Sequence, residues 1–222
     1  MLPRHSSLDS RTTRERVPGA PVNATDVDWI HDSLMPAGNN PEHILATALD
    51  ALSSGGEWRS TLDELSVPIY ATDAAGSITY WNHACIEFAG REPELGEDRW
   101  CVTWHLYTAD GEPLAHDECP MAQAIHERRP IRDAIAIAER PDGSRRAFRP
   151  YPTPLFDSEG TLTGAINMLI DVTDEQCAAL HDQAERCRRL AGATYDRRTS
   201  KMLGDMADGF DRTVGALAQK RS

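Results

Sequence analysis

The chain has 222 residues, of which 40% are hydrophobic and 26% are charged, so we expect one globular domain with extensions. The formal net charge is −12, and the acidic excess lies between residues 41 and 174, which argues against nucleic-acid binding because this region would repel phosphates. The five cysteines form no Cys-x-x-Cys pair, and neither a secretory signal nor a membrane-length apolar run is seen. We therefore expect a cytoplasmic protein with reduced thiols that does not bind membranes.

The beginning of the chain divides into two segments. Residues 1–40 are rich in Ser, Thr, Arg, Pro, Gly and Asn, a composition typical of a disordered leader. The run Asn40-Pro41-Glu42 is typical of a helix start, and apolar residues then recur on one helical face at Ile44, Leu45, Ala48 and Leu52. Residues 41–65 are therefore predicted to be flanking helices, which cover a sheet or pair with a second copy of the chain.

Residues 66–174 show the turn and strand pattern of an antiparallel sheet. Strands are predicted at 67–73 and 78–82, at 131–140 and 145–155, and in a final apolar run at 165–170. The turn Pro141-Asp142-Gly143-Ser144 joins one pair as a hairpin. Between the pairs, the sequence predicts a helix capped by Asn82, a turn with a short helix at 90–95, and a helix from Asp117 to about Arg128. An aromatic, strand-like segment lies at 100–107. This order favours an α+β fold with the helices on one face of the sheet.

Several short motifs in this region occur in the order of one known family. They are Val67-Pro68-Ile69, Thr72-Asp73-Ala74-Ala75-Gly76, Ile78-Thr79-Tyr80-Trp81-Asn82, Gly90-Arg91, Arg140-Pro141-Asp142-Gly143 and Asp171-Val172-Thr173-Asp174. Residues 66–174 thus resemble a PAS domain, a small sensor and interaction module of bacterial signalling. The resemblance implies the PAS fold, with a five-stranded antiparallel sheet, helices on one face and a cavity between them, and dimerisation through flanking helices.

The segment from Trp100 to Leu155 is similar to a PAS subgroup found before bacterial sensor histidine kinases. Too few residues follow Asp174 for a kinase, so we expect a stand-alone PAS protein. The Asn-Cys-Arg motif of flavin photosensors is absent, because Cys85 lies in Asn82-His83-Ala84-Cys85-Ile86. Light sensing through a flavin–cysteine adduct is therefore disfavoured.

The last segment, residues 175–222, carries two apolar seams of helical spacing. Cys177, Leu180, Ala184, Cys187 and Ala191 recur every three or four residues, and a second series follows at Leu203, Met206, Phe210, Val214 and Leu217. Two amphipathic helices, a C-terminal helical hairpin, are predicted. Alone they bury too little surface to be stable, so we expect them to pack on the PAS domain, on each other in a dimer, or on a partner.

By analogy with the family, and from the faces of the strands and helices on which they fall, seven residues would line a ligand pocket. The alternative is that these side chains simply fill the core. They are Asn82, Cys85, Trp100, Trp104, Phe148, Tyr151 and Met168. No cofactor or metal is predicted. His126 is a weak candidate for a haem ligand, since it falls on the helix where haem-binding relatives place one, although its neighbours do not resemble that group.

These patterns predict a non-enzymatic PAS sensor or adaptor in bacterial signal transduction. Neither a nucleophile–base set nor a phosphate loop appears in the sequence. The residues Asp171, Val172 and Thr173, between the last strand and the next helix, are predicted to transmit a change in the domain to the C-terminal helices. The expected partners are a second copy, in a homodimer, and a protein such as a signalling kinase or regulator. The alternative is a sensor that binds a small ligand or haem.

Overall fold

A computed structural model describes residues 40–53 and 58–219. The predicted leader before Asn40 lies outside the described residues. In chain order the elements are α1 (Pro41–Ser53), α2 (Trp58–Asp63), β1 (Ile69–Asp73), β2 (Ile78–Trp81), α3 (His83–Ala89), β3 (His105–Thr108), β4 (Pro113–Leu114), a 3-10 turn (His116–Glu118), α4 (Pro120–Glu127), β5 (Ala136–Glu139), β6 (Arg145–Pro150), β7 (Thr153–Phe156), β8 (Leu162–Asp171), α5 (Thr173–Ala193) and α6 (Arg197–Ala218).

One antiparallel sheet organises residues 69–171. The strands lie in the order β2-β1-β8-β6-β5-β3-β4, and β7 also pairs with β8. The predicted α+β fold is confirmed, but the sheet has more strands than the five that were predicted. Two causes are visible. The predicted strand 145–155 is split into β6 and β7 around Tyr151 and Pro152, and the β3–β4 hairpin extends the sheet beyond β5.

The strand β8 lies at the centre of the sheet and is its longest strand. Its first half pairs with β7 and its second half with β6, while β1 runs along its other edge from Ile69, opposite Met168, to Asp73, opposite Gly164. The mostly apolar run predicted at 165–170 is buried on both faces as far as Leu169. Because β8 leads directly into α5, the middle of the sheet is joined to the C-terminal helices.

Three local predictions were wrong. Within the predicted strand 131–140 only 136–139 pair, because Asp133 has a left-handed backbone with φ of 61°. The aromatic segment 100–107 is a loop up to Trp104 and becomes a strand only from His105. Residues 91–98 form turns instead of the predicted short helix.

The inner face of the sheet, which faces α3 and α4, carries the largest apolar cluster. It includes side chains from β1, β5, β6 and β8, and from the two helices and the loop before β3. Its fully or nearly fully buried members are Tyr70, Ile78, Cys85, Phe88, Cys101, Val102, Leu106, Cys119, Met121, Ala122, Ile125, Ala136, Ala138, Phe148, Ala165 and Leu169. Alternation along the strands places these residues on one side and their neighbours on the other.

The outer face is covered by the flanking helices. Helices α1 and α2 cover β1, β2 and the middle of β8, where Leu45 and Leu62 pack with Ile69, Ile166 and Met168. Helices α5 and α6 lie against each other, and they cover β5 and β6 through a cluster of Ile137, Ala147, Val172, Leu180 and Leu217. The C-terminal helical hairpin thus packs both within itself and on the sheet of its own chain.

Among the helices of the described residues, none combines the length and the apolar character that crossing a membrane requires.

Candidate functional site

A surface cleft of about 470 Å³ opens beside the loop that precedes β3. The loop provides most of its lining, and the residues that follow β4 close the other side. The lining residues are Arg91, Glu97, Asp98, Arg99, Trp100, Cys101, Thr103, Trp104, His116 and Asp117. The cleft therefore combines two tryptophan rings with charged groups of both signs.

Trp100 has an unusual backbone at the edge of this cleft. Its φ of 68° lies in the left-handed region, which is rare for a bulky residue and costs on the order of 1–2 kcal/mol. Two hydrogen bonds fix this conformation: its N–H donates to the Gly76 carbonyl (2.8 Å), and its carbonyl accepts from the Tyr70 hydroxyl (2.9 Å). Strained residues of this kind concentrate at functional sites.

The arginines of the cleft are already engaged by the protein. Arg91 forms an ion pair with Asp98 at 2.5 Å and lies 6.0 Å from the centre of the Trp104 ring. Arg99 donates to the Ala75 carbonyl. Trp104 keeps 51% of its surface exposed, a large fraction for a tryptophan, so its ring remains accessible from solvent.

His116 connects the two sides of the cleft. Its Nε2 lies 3.2 Å from the Thr103 carbonyl, and because a carbonyl only accepts, this nitrogen carries the proton. Burial lowers the pKa of His116 below its usual range, and the nearby His105 adds to the effect, so the ring is neutral near pH 7. The neutral ring thus joins the segment after β4 to the segment before β3.

A buried chain of hydrogen bonds connects the cleft to β8. The Tyr70 hydroxyl that donates to the Trp100 carbonyl accepts from Nδ2 of Asn167 at 3.0 Å. Oδ1 of Asn167 in turn accepts from the backbone N–H of Tyr151 at 2.9 Å. Burial raises the pKa of Tyr70, with Cys101 and Cys119 nearby adding to the effect, so the phenol stays protonated and keeps its donor.

At the end of β8, a second group of hydrogen bonds fixes the start of α5. Oδ1 of Asp171 accepts from the N–H of Thr173 at 2.9 Å and from its hydroxyl at 2.6 Å. The same hydroxyl oxygen accepts from the N–H of Ala147 on β6 at 3.1 Å, and the N–H of Val172 donates to the Ala147 carbonyl at 3.0 Å. The first residues of α5 are therefore held by two neighbouring strands.

The seven residues predicted to line a ligand pocket do not share one cavity. Trp100 and Trp104 line the cleft. Cys85 and Phe148 lie in the inner-face cluster, where the Phe148 ring meets that of Phe88 at 5.5 Å. Tyr151 lies with Met168 in the outer-face cluster under α1 and α2. That these residues bind a ligand stays a prediction.

Asn82 is fully buried and bonded to the segment before β1. Its Oδ1 accepts from the Ile69 N–H at 3.0 Å, and its Nδ2 lies 3.0, 3.3 and 2.9 Å from the carbonyls of Leu62, Leu65 and Val67. It occupies the N-cap position of α3, as predicted, but its side chain makes no capping hydrogen bond. Its amide joins α2 to the sheet instead.

Cys85 and His126 lie in different environments. Burial raises the pKa of the Cys85 thiol to about 12, so the thiol is protonated and unreactive near neutral pH. His126 is exposed on α4, and its ring meets the Trp100 ring at 5.6 Å instead of facing the inner cluster, so it does not fit a haem ligand within the domain. Within residues 40–53 and 58–219, no three His, Cys, Asp or Glu side chains lie where they could hold a metal ion together.

The roles of Tyr70, Asn167 and His116 were not predicted from the sequence. The alternation of β1 and β8 could have placed Tyr70 and Asn167 on the inner face, but their hydrogen bond joins residues 97 positions apart and has no local signal. No local pattern distinguishes His116 either, because its role depends on the bond to the Thr103 carbonyl.

Comparison with protein families decides the classification. A family model described as the PAS fold matches residues 62–176, about half of the chain. The chain belongs to the PAS fold family. The match begins in α2 and ends in the first turn of α5, so it includes the cleft of the PAS domain and the Asp171–Thr173 junction. No curated protein matches this chain.

Solved PAS structures resemble the chain only distantly. The PAS domain of the fruit-fly ELK potassium channel is 12% identical, over 56% of this chain and 96% of its own, with a TM-score of 0.41. The PAS domain of a Colwellia psychrerythraea protein is 16% identical, over 52% and 93%, with a TM-score of 0.37. The Rhodobacter sphaeroides LOV protein is 12% identical, over 78% and 94%, with a TM-score of 0.37. The classification rests on the family match.

Membership of this family indicates a sensory role in signal transduction, since PAS domains are typically sensory and not catalytic.

Proposed function

We propose that this chain is a sensor or adaptor in which a change in the PAS domain alters the packing of the C-terminal helices α5 and α6. The observation that carries the proposal is the junction after β8. The Thr173 hydroxyl bonds to Asp171 of β8 and to Ala147 of β6, and α5 begins at that threonine. A shift between β6 and β8 therefore displaces the first turn of α5.

The buried chain from Trp100 through Tyr70 to Asn167 supports this route, because it joins the cleft to the strand that ends at the junction. A movement of Trp100 would break the hydrogen bond from the Tyr70 hydroxyl and leave this buried hydroxyl, the partner of Asn167, without its acceptor. Leaving a buried polar group unpaired costs about 1–3 kcal/mol, which is enough to change the population of two packing states roughly tenfold.

We propose a bacterial, cytoplasmic protein that forms a homodimer and acts on a protein partner such as a signalling kinase or regulator. Light scattering on the full chain after size exclusion tests the homodimer, and a mass of one chain at micromolar concentration would contradict it.

The junction is tested by Asp171→Ala in the full chain, with hydrogen exchange of α5 and α6 as the readout. Losing the two bonds to Thr173 should increase exchange in residues 174–190 about tenfold while β1 keeps its protection. Asp157→Ala is a matched control, because Asp157 accepts from the N–H groups of Glu159 and Thr161 in a similar turn at the other end of β8. Equal exchange in the two variants would refute the junction as the switch.

A small-ligand sensor is the second candidate. Two buried polar atoms on neighbouring strands, Thr72 Oγ1 and Trp81 Nε1, have no hydrogen-bond partner within the described part of the chain. Such groups favour a bound polar molecule or water. Native mass spectrometry of freshly purified protein tests this candidate: a bound mass supports it, and the mass of the chain alone argues for signalling through protein contacts.

A further inference from the structure

The β3–β4 hairpin, which lies outside the five predicted strands, is held at its tip by both C-terminal helices. Nε2 of Gln176 in the first turn of α5 donates to the Ala109 carbonyl at 2.8 Å. The hydroxyl of Thr213 in α6 donates to the Asp110 carbonyl at 2.9 Å. Gln176 and Thr213 are 6% and 7% exposed, so both bonds are shielded from water.

The tip is closed by two backbone hydrogen bonds and fits tightly against α6. The Thr108 N–H donates to the Glu112 carbonyl at 2.7 Å, and the Gly111 N–H donates to the Thr108 carbonyl at 3.0 Å. Gly111 has φ of 95°, and a Cβ at this position would lie 2.4 Å from Oγ1 of Thr213. The tip therefore cannot move towards α6 without displacing it.

The other end of the hairpin forms one wall of the cleft. Trp104 precedes β3 and His116 follows β4, and both line the cleft. The bond from His116 to the Thr103 carbonyl joins the segments before β3 and after β4 at this end of the hairpin. A group that entered the cleft between Trp104 and His116 would change their spacing, and the short strands, about 3.3 Å per residue, would carry the change to the tip.

We propose that the β3–β4 hairpin is a second transmission element, which couples the cleft to α5 and α6 at the same time. The hydrogen bonds of the Asp171–Thr173 junction reach only the first turn of α5, whereas those of the hairpin reach α5 through Gln176 and α6 through Thr213. The inference rests on the proposed sensory function, with the C-terminal helices as its output. It assigns Gln176 and Thr213 as coupling residues, and His116 as the residue that fixes the position of the hairpin beside the cleft.

The test is a double-mutant cycle on the full chain, read by hydrogen exchange of residues 209–217. His116→Ala is the change at the cleft. The combination of Gln176→Met and Thr213→Val (the released variant) removes the two hydrogen bonds to the hairpin tip while keeping side chains of similar volume. His116→Ala alone should increase exchange of α6 several-fold. In the released background it should add nothing further. His116→Gln keeps a donor and should restore most of the protection, and Thr213→Ser keeps the hydroxyl and should behave as the unmodified chain.

Two results overturn the proposal: no change in α6 on His116→Ala, or an equal increase in the two backgrounds, because independent effects add. If the released variant does not fold by circular dichroism, Thr213→Val alone replaces it. Asp171→Ala in parallel separates this proposal from the proposed function. If exchange changes in Asp171→Ala but not in His116→Ala, only the route through the hairpin is excluded. If exchange changes in neither variant, α5 and α6 are not the output of the domain.

Discussion

Single buried polar residues decide how the segments of this domain are joined. Asn82 is 0% exposed and connects α2 and the following turn to the first residue of β1. Every hydrogen-bond partner of its side chain is a backbone group. If the amide were removed, these groups could not rotate towards new partners as side chains can. The residue thus has a structural role that is sufficient to explain its identity without a ligand.

Replacing Asn82 by Ala should lower the free energy of unfolding by about 3 kcal/mol, because it leaves the Ile69 N–H and carbonyls of the preceding segment without partners in a buried place. Urea denaturation measures the loss. His83→Ala, at an exposed position of the same helix, should change stability by less than about 0.5 kcal/mol. Similar losses in both variants would show that the amide bonds contribute little.

His116 should make stability depend on pH. Its pKa is lowered in the folded chain by burial first, with His105 and Arg91 adding to this and Asp98 and the bond to Thr103 opposing it. The unfolded chain therefore binds the proton first, so stability falls as pH drops below about 6.5 and continues to fall towards the folded pKa.

The measurement is urea denaturation between pH 7.5 and 5 of the unmodified chain and of His116→Gln. The unmodified chain should lose more stability over this range, since other titrating groups are common to both. Parallel curves for the two proteins would contradict the lowered pKa.

Among the elements, the β3–β4 hairpin fits closely against its neighbour α6. Its turn residue Gly111 meets Thr213, whereas Gly143 in the β5–β6 turn has a similar φ of 80° and no heavy atom within 4 Å of a Cβ built there. The two glycines therefore separate the cost of the backbone conformation from the cost of contact with α6.

We expect Gly143→Ala to cost about 1 kcal/mol, from the left-handed backbone alone, and Gly111→Ala to cost at least about 1 kcal/mol more. Thr213→Ala should recover part of the difference when it is combined with Gly111→Ala, because it removes the clashing hydroxyl. Thermal unfolding and exchange of α6 report both effects. Equal costs for the two alanines would mean that the hairpin tip moves freely against α6.

At the level of the whole molecule, the sheet is buried on both faces. The inner face is covered by α3 and α4, and the outer face by the flanking helices at its two ends. The C-terminal helices thus complete the hydrophobic core of their own chain. A change in their packing would expose the apolar surface of β5 and β6.

Leu217 tests this arrangement, since it is 1% exposed in the cluster beneath α6. Leu217→Ala should cost about 2–4 kcal/mol and increase binding of a hydrophobic dye. Met206→Ala, on the same helix but 45% exposed, should cost well under 1 kcal/mol. If both substitutions were nearly neutral, α6 would not be packed on the sheet in solution.

Strands, hairpin turns and the two C-terminal helices could be predicted from the sequence because their signals are local. Pro141-Asp142-Gly143-Ser144 specifies its own turn, and the seams through Leu180 and Leu217 specify their helical faces. The cleft could not be predicted, because no propensity places a tryptophan such as Trp100 in the left-handed region. The bond of Thr213 to Asp110 spans 103 residues and is equally invisible to local patterns.

The central position of β8 has a consequence for how the chain acquires its structure. The hairpins β1–β2 and β5–β6 can close early because their strands are near in sequence, but β8 is the last strand and supplies the partner for β1, β6 and β7. Pairing Ile69 with Met168 closes a loop of about a hundred residues, an entropic cost that slows folding. During synthesis, the two halves of the sheet therefore cannot pair until β8 has been made, and their apolar faces stay exposed to solvent until then.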